Sequence, residues 1–245
     1  MAVVSAAALL ATVAPGAAQA ATSDQAPDPA VAAALQRVAN GSWTKSDISL
    51  LKSIPEVAAG VVDPTKPAEV TIKEAAFEAN GQAVSPANGE PLTGAELAEV
   101  TPPSHLTGQP QPGEQTLPAE GEPVTIAPRI TGGRWKMTHV THTHRSLLGS
   151  TIFKYHTWAE FNYGSGKVRA WRFRDDDITN AQSIVNVGDR RIVASKTAVG
   201  TSQATSKMKR KIELCVAKYG CYATMYPYAY TTVKGSGSTS FTSGV

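Results

Sequence analysis

The large side chains of this chain are concentrated in its second half. Of 16 aromatic residues among 245, 14 lie in residues 131–245, and only Trp43 and Phe77 precede them. Both cysteines lie in the same stretch. Aromatic side chains dominate hydrophobic cores, and 115 residues is a common domain size. We therefore expect residues 131–245 to form one independent core.

A division at residue 131 also separates the charges. Residues 1–130 carry 14 acidic and 6 basic side chains, a net charge of −8, whereas residues 131–245 carry 6 acidic and 17 basic ones, a net charge of +11. The overall charge of +3 is a cancellation of these two values. The composition excludes a polytopic membrane protein and a collagen, and two cysteines are too few for a four-cysteine zinc module.

The first twenty residues have the features of a secretory signal peptide. Residues 1–20 hold no charged side chain, run apolar from position 2 to 13, and end in small residues after a Pro15-Gly16 break. This order predicts export with cleavage after Ala20. The alternative is a buried Ala-rich helix, which Pro15-Gly16 would interrupt. No later segment resembles a membrane anchor, so we expect a secreted, extracellular protein with no integral membrane segment after signal removal.

Two short helices are predicted in the first half. Asp28 followed by Pro29 is typical of a helix start. A second helix is expected over 46–54, with Thr44 and Asp47 at capping-box spacing. Two such helices bury little surface and would be marginal on their own.

The rest of the first half has a linker composition. Seven prolines lie in residues 101–128, which predicts an extended segment. Residues 21–130 are thus expected to be an acidic, partly disordered, propeptide-like leader with a Pro-rich linker. It would either shield the basic half electrostatically or act as a spacer.

From Gly133 onward the apolar pattern has a period of two. In residues 150–163, aromatic and apolar side chains alternate with polar ones, as in a half-buried strand. The sequence predicts a mainly β fold, an antiparallel sandwich or barrel of about seven strands after the short helical leader. The expected strands are 133–143, 150–163, 167–174, 181–187, 190–196, 205–218 and 221–233.

Cys215 and Cys221 are six positions apart in this basic β-domain. In an exported protein such a pair would oxidise to a disulfide across a hairpin end. A reactive thiol is the alternative.

Four of the five histidines lie between His139 and His156. On a strand, His142 and His144 point to the same side about 6–7 Å apart, a spacing that suits two ligands of one metal ion. His156, or the acidic run 175–177, would supply the third ligand, and His139 would point the other way. No established metal motif accompanies them, and the alternative is a solvated strand face.

The second half also carries basic residues that would attract a polyanion. Arg172 and Arg174 share one strand face, as do Lys207, Lys209 and Lys211. Solubility and protection of a sheet edge are the alternative explanation. The candidate binding residues are Arg169, Arg172, Arg174, Arg190, Arg191, Lys207, Lys209, Arg210 and Lys211.

The acidic run Asp175-Asp176-Asp177 has two interpretations. It could bind calcium, although it lacks the oxygen spacing and glycine of an EF-hand. A polar turn neutralised by neighbouring arginines is the other. No nucleophile elbow, P-loop or dinucleotide fingerprint is present in the sequence.

The stretch 215–221, Cys-Val-Ala-Lys-Tyr-Gly-Cys, and the following Tyr226-Pro227 are similar to the ending of uncharacterised secreted proteins of actinomycetes. Those proteins carry a signal, a Pro-rich or Ala-rich leader and a basic β-domain. The resemblance covers the last third of the chain and implies localisation and fold, with no activity attached.

These features favour a non-enzymatic binding module at or outside the cell envelope, without a cofactor. Its partner would be an anionic cell-wall polymer or an extracellular protein, with nucleic acid less favoured. One alternative is a small metal-dependent hydrolase centred on His142, His144 and His156. Another is a protease inhibitor or toxin-like protein that uses the loop between the cysteines.

Overall fold

The computed structural model describes residues 26–107, 132–179, 183–216 and 218–245. As predicted, the chain is mainly β. Two antiparallel sheets pack face to face as a sandwich and do not close into a barrel. The expected signal segment and most of the proline-rich stretch lie outside the described residues.

The first sheet is built from both halves of the chain. Its strands are β1 (Glu69–Phe77), β2 (Ala83–Val84), β3 (Arg134–Arg145), β4 (Thr151–Gly164) and β5 (Lys167–Thr179). Their order across the sheet is β2-β1-β3-β4-β5.

The second sheet comes from the second half alone. Its strands are β6 (Val185–Lys196), β7 (Gln203–Val216), β8 (Gly220–Met225), β9 (Tyr228–Lys234) and β10 (Thr239–Gly244). The order is β10-β9-β7-β6, and β8 continues along β7 beyond the end of β9. Two of the predicted strands merge into β6, and the last predicted strand is divided into β8 and β9 at Tyr226-Pro227.

Five helices lie within residues 26–107, the part of the first half that the structure describes. They are α1 (Pro29–Ala39), α2 (Lys45–Lys52), α3 (Pro55–Gly60), α4 (Gly94–Val100) and α5 (Ser104–Thr107). The two predicted helices are confirmed with their caps. The Asp28 carboxylate accepts from the Ala30 backbone N–H at 2.8 Å, and Thr44 and Asp47 form a complete capping box.

Strand β1 is an element that the sequence reasoning missed. It pairs with β3 over nine positions, from Glu69 opposite Thr143 to Phe77 opposite Trp135. The acidic half therefore supplies a strand to the same sheet as the histidine-rich strand. Its apolar residues Val70 and Ile72 alternate with polar ones, but they are 47% and 43% exposed. Their alternation therefore does not mark a buried strand face.

The largest hydrophobic core also joins the two halves. Val31 and Leu35 of α1 belong to the same buried cluster as Phe153 of β4 and Ile212 and Leu214 of β7. The expectation of an independent core in residues 131–245 is therefore wrong. Helices α1 to α3 and the two sheets bury their apolar faces against one another, and burial of this kind is the main stabilising term of a fold.

Cys215 and Cys221 face each other across β7 and β8 and are joined by a disulfide, as predicted. Lys218, in the turn between them, has a φ of 72°, in the left-handed region. The bond thus closes the short connection at one end of the second sheet.

None of the helices in the described ranges is long and apolar enough to cross a membrane.

Candidate functional site

Three of the predicted basic residues turn into the sandwich and not towards solvent. Arg174 is 2% exposed, and its Nε donates to Ser206 Oγ at 2.9 Å. Burial lowers the pKa of its guanidinium to about 10. Arg191 and Arg210 reach the interior from β6 and β7. The expectation that these three form a binding surface is therefore wrong.

The partners of Arg191 and Arg210 are two acids of the run 175–177. Asp175 and Asp176 have fully buried side chains. Arg191 pairs with both carboxylates, and Arg210 Nη2 lies 3.0 Å from Asp176 Oδ1. The Tyr155 hydroxyl donates to Asp176 Oδ2 at 3.1 Å, and burial raises the pKa of that hydroxyl. This internal ion cluster links β5 of the first sheet to β6 and β7 of the second.

The acidic run lies within a strand, and arginines occupy two of its carboxylates. The prediction of a turn was wrong, whereas neutralisation by arginines was correct for Asp175 and Asp176. This pairing takes up Asp176 and one oxygen of Asp175, whereas Asp175 Oδ2 has no hydrogen-bond partner among the described residues.

Arg169 and Arg172 belong to the first sheet. Arg172 is exposed, lies 4.4 Å above the Trp135 ring centroid and pairs with the buried Glu160. Arg169 is half-buried beside Gly133. The side chain of Arg190 is outside the described part of the structure.

Lys207, Lys209 and Lys211 share the outer face of β7. Lys207 is exposed and the other two are half-buried. Met208, between Lys207 and Lys209, and Ile212, after Lys211, point into the core, as the period of two predicts. Side chains two positions apart on a strand stand about 6.6 Å apart, so the three ammonium groups form a row.

Three tyrosines lie beside this row of lysines. Register places Tyr230 opposite Lys207 and Tyr228 opposite Lys209, and the two tyrosine rings lie 5.0 Å apart. The Lys207 ammonium lies 5.4 Å from the Tyr230 ring centroid, within cation–π range. We call Lys207, Lys209, Lys211, Tyr226, Tyr228 and Tyr230 the lysine–tyrosine face.

Electrostatically, this face is positive with one acid at its border. The Lys211 ammonium lies 2.7 Å from Glu213, which raises the pKa of Lys211 and lowers that of Glu213. Lys209 lies 5.2 Å from the Tyr226 ring centroid, and that ring is 40% exposed. The sequence reasoning found the lysines but did not assign the tyrosines to a site, although they also recur at every second position.

The histidines divide between the two faces of the first sheet. His142 and His144 point inward and are 1% and 4% exposed. His144 stacks on Phe153 with ring centroids 4.5 Å apart, and burial lowers its pKa to about 4. Neither nitrogen of His142 has a hydrogen-bond partner among the described residues.

His139 and His156 point outward, where they meet. His139 Nε2 lies 2.9 Å from His156 Nδ1, and Thr141 Oγ1 lies 3.1 Å from each of these nitrogens. Both rings stack on Trp158. We call His139, Thr141 and His156 the histidine triangle. It lines an open groove of about 440 Å³ between β3, β4 and the end of α4.

The predicted metal set of His142, His144 and His156 is thus separated by the sheet. His156 lies opposite Thr141, so it faces away from His142 and His144. Within the described ranges, no group of three or more His, Cys, Asp or Glu side chains could hold a metal ion. The hydrolase alternative consequently has no assembled ligand set in those residues.

Searches of protein-family models, of curated proteins and of solved structures found no match to this chain. The resemblance to secreted actinomycete proteins therefore rests on residues 215–227 alone and stays a prediction. Function has to be argued from the surface itself.

Proposed function

We propose that this protein is a secreted, non-enzymatic module that binds an anionic polymer of the cell envelope through the lysine–tyrosine face. The observation that carries the proposal is the alternation of lysine and tyrosine side chains across β7 and β9. Secretion is supported by the sequence of residues 1–20 and by the disulfide.

The chemistry of this face matches a charged, flexible chain better than a compact partner. A row of ammonium groups attracts phosphates or carboxylates that repeat along a polymer. Tyrosine offers a flat apolar ring and a hydroxyl, which suits a partner that is apolar on one side and hydrated on the other. The ring contacts also hold the lysine side chains in place before binding, which reduces the entropy lost on association.

Several other basic residues of the second half are already occupied by carboxylates. Arg191 and Arg210 pair with buried aspartates, and Arg172 pairs with Glu160. The lysine–tyrosine face differs from scattered surface charges because it brings three lysines together on one strand, of which Lys211 also pairs with Glu213.

The test is a titration of the full exported chain with purified wall teichoic acid at about 50 mM salt. We expect saturable binding, and the triple variant Lys207→Gln, Lys209→Gln, Lys211→Gln should weaken it at least about tenfold because three charge contacts are lost. The matched control is Lys45→Gln, Lys52→Gln, Lys66→Gln, which removes the same charge from exposed positions in the first half.

Two results would overturn the proposal. The first is equal loss of binding in the two triple variants, which would mean that only net charge matters. The second is tighter binding of a single-stranded oligonucleotide of matched charge, because interleaved tyrosines and lysines also suit stacked bases.

The inhibitor or toxin-like alternative would use the turn between Cys215 and Cys221. No contact described above distinguishes that turn as a binding loop, so it stays a prediction.

A further inference from the structure

The histidine triangle is a convergent set of donor atoms that the proposed polymer-binding function does not use. Its three atoms, His139 Nε2, His156 Nδ1 and Thr141 Oγ1, are 2.9 to 3.1 Å apart. Ligands of a tetrahedral ion with bonds of about 2.0–2.1 Å lie roughly 3.3–3.4 Å apart. The edges of the triangle would have to lengthen by only about 0.2–0.5 Å to hold an ion.

In the His139 and His156 rings, the nitrogen that points away from the triangle already contacts another group. His139 Nδ1 contacts the Glu99 backbone oxygen at 2.5 Å, and a carbonyl only accepts, so Nδ1 carries the proton. A neutral His139 therefore points a lone pair on Nε2 into the triangle. A histidine whose other ring N–H donates to a backbone carbonyl is typical of metal ligands.

His156 can present a second lone pair at the same point. Its Nε2 lies 2.6 Å from Thr179 Oγ1, and when Nε2 donates to that hydroxyl, Nδ1 is unprotonated. In the other tautomer, the His156 Nδ1–H donates to His139 Nε2 at 2.9 Å. A cation in the triangle would favour the tautomer with the proton on His156 Nε2, so that two ring nitrogens and the Thr141 hydroxyl oxygen face the ion.

We propose that His139, His156 and Thr141 bind one divalent transition-metal ion, with water filling its remaining positions. Two imidazoles and a hydroxyl suit Zn²⁺, Ni²⁺ and Cu²⁺, of which Cu²⁺ binds most tightly to a given nitrogen and oxygen site. The groove leaves the ion open to solvent on one side, and Lys154 in its wall opposes the charge.

This site is different from the metal set predicted from the sequence. That set took His156 together with His142 and His144, which lie on the other face of the sheet. The partner that the sequence reasoning left out is His139.

Tryptophan fluorescence of the untagged chain, titrated with CuCl₂ in a non-chelating buffer, tests the proposal. The Trp158 ring lies 4.5 Å from His139, so bound Cu²⁺ should quench its emission at one equivalent. His156→Ala should raise the apparent Kd at least about tenfold, and Thr141→Val should raise it severalfold. His105→Ala is the matched control, because it removes a histidine that is 60% exposed and pairs with Asp177.

Electron paramagnetic resonance of the one-equivalent complex gives a second readout, with hyperfine coupling to two imidazole nitrogens expected. Absence of stoichiometric quenching, equal quenching in His156→Ala that keeps its thermal unfolding transition, or loss of quenching in His105→Ala would overturn the proposal. So would coupling to two imidazole nitrogens that persists in His156→Ala. All these outcomes are independent of polymer binding.

Discussion

Arg210 and Asp176 meet between the two sheets, with Nη2 and Oδ1 3.0 Å apart and the carboxylate wholly buried. They lie 34 positions apart, on β7 and β5. Arg191 completes the pairing from β6. The contact explains why a strongly basic half of the chain has fewer free charges than its composition implies.

Replacing Asp176 with Ala should destabilise the fold strongly, because it leaves Arg210 without a buried counter-charge and Arg191 with Asp175 alone. The expected loss of unfolding free energy is about 3–5 kcal/mol. Urea denaturation followed by circular dichroism measures it. Glu213→Gln, which breaks a solvent-exposed pair with Lys211, is the control and should leave stability nearly unchanged. Equal effects of the two variants would contradict a structural role for the cluster.

The buried His144 predicts lower stability in mild acid. Its pKa is about 4 in the folded chain and about 6.5 when unfolded, so the unfolded state takes up the proton first as the pH falls. Its contribution is neutral above pH 6.5 and destabilising between pH 6.5 and 4. It amounts to about 2 kcal/mol between pH 7 and pH 5.

His144→Phe should remove this part of the pH dependence, because phenylalanine keeps the stack on Phe153 and cannot be protonated. Denaturation midpoints at pH 7 and pH 5 measure the difference. The control His105→Ala changes an exposed side chain. A variant with the same pH dependence as the parent protein would refute the assignment to His144.

A chain that begins at residue 132 should fail to fold as the full chain does. It loses β1 from the edge of β3 and the helices that cover the shared core. Size-exclusion chromatography and dye binding should show an aggregated or expanded chain with exposed apolar surface. A sharp thermal transition at the temperature of the full chain would contradict the shared core.

Removal of the disulfide should have a modest effect. The bond between Cys215 and Cys221 spans six positions, and a loop of that size stabilises by about 2 kcal/mol in the chain-entropy model. Cys215→Ser with Cys221→Ser should lower the melting temperature while keeping the β-sheet circular dichroism spectrum. A loss of more than twice that free energy would indicate that β8 depends on the bond.

The period of two predicted much of this arrangement. It correctly placed Lys207, Lys209 and Lys211 on one face, and it separated His139 from His142 and His144. It did so because strand geometry alone decides on which side a residue lies.

The features that the sequence did not reveal depend on contacts between residues that lie far apart in the chain. Whether Arg191 or Arg210 faces solvent is decided by Asp176, 15 and 34 positions away on another strand. In the same way, β1 is fixed by its partner β3, with which it pairs across a long connection. Such pairings require the tertiary fold.

Nuclear magnetic resonance mapping tests the proposed polymer site most directly. Backbone amide spectra of the full exported chain would be recorded while purified wall teichoic acid is added at about 50 mM salt. We predict progressive shifts confined to residues 205–212 and 226–232, which surround the lysine–tyrosine face. Shifts centred on Arg172 and Trp135, or no shifts at saturating polymer, would contradict the account.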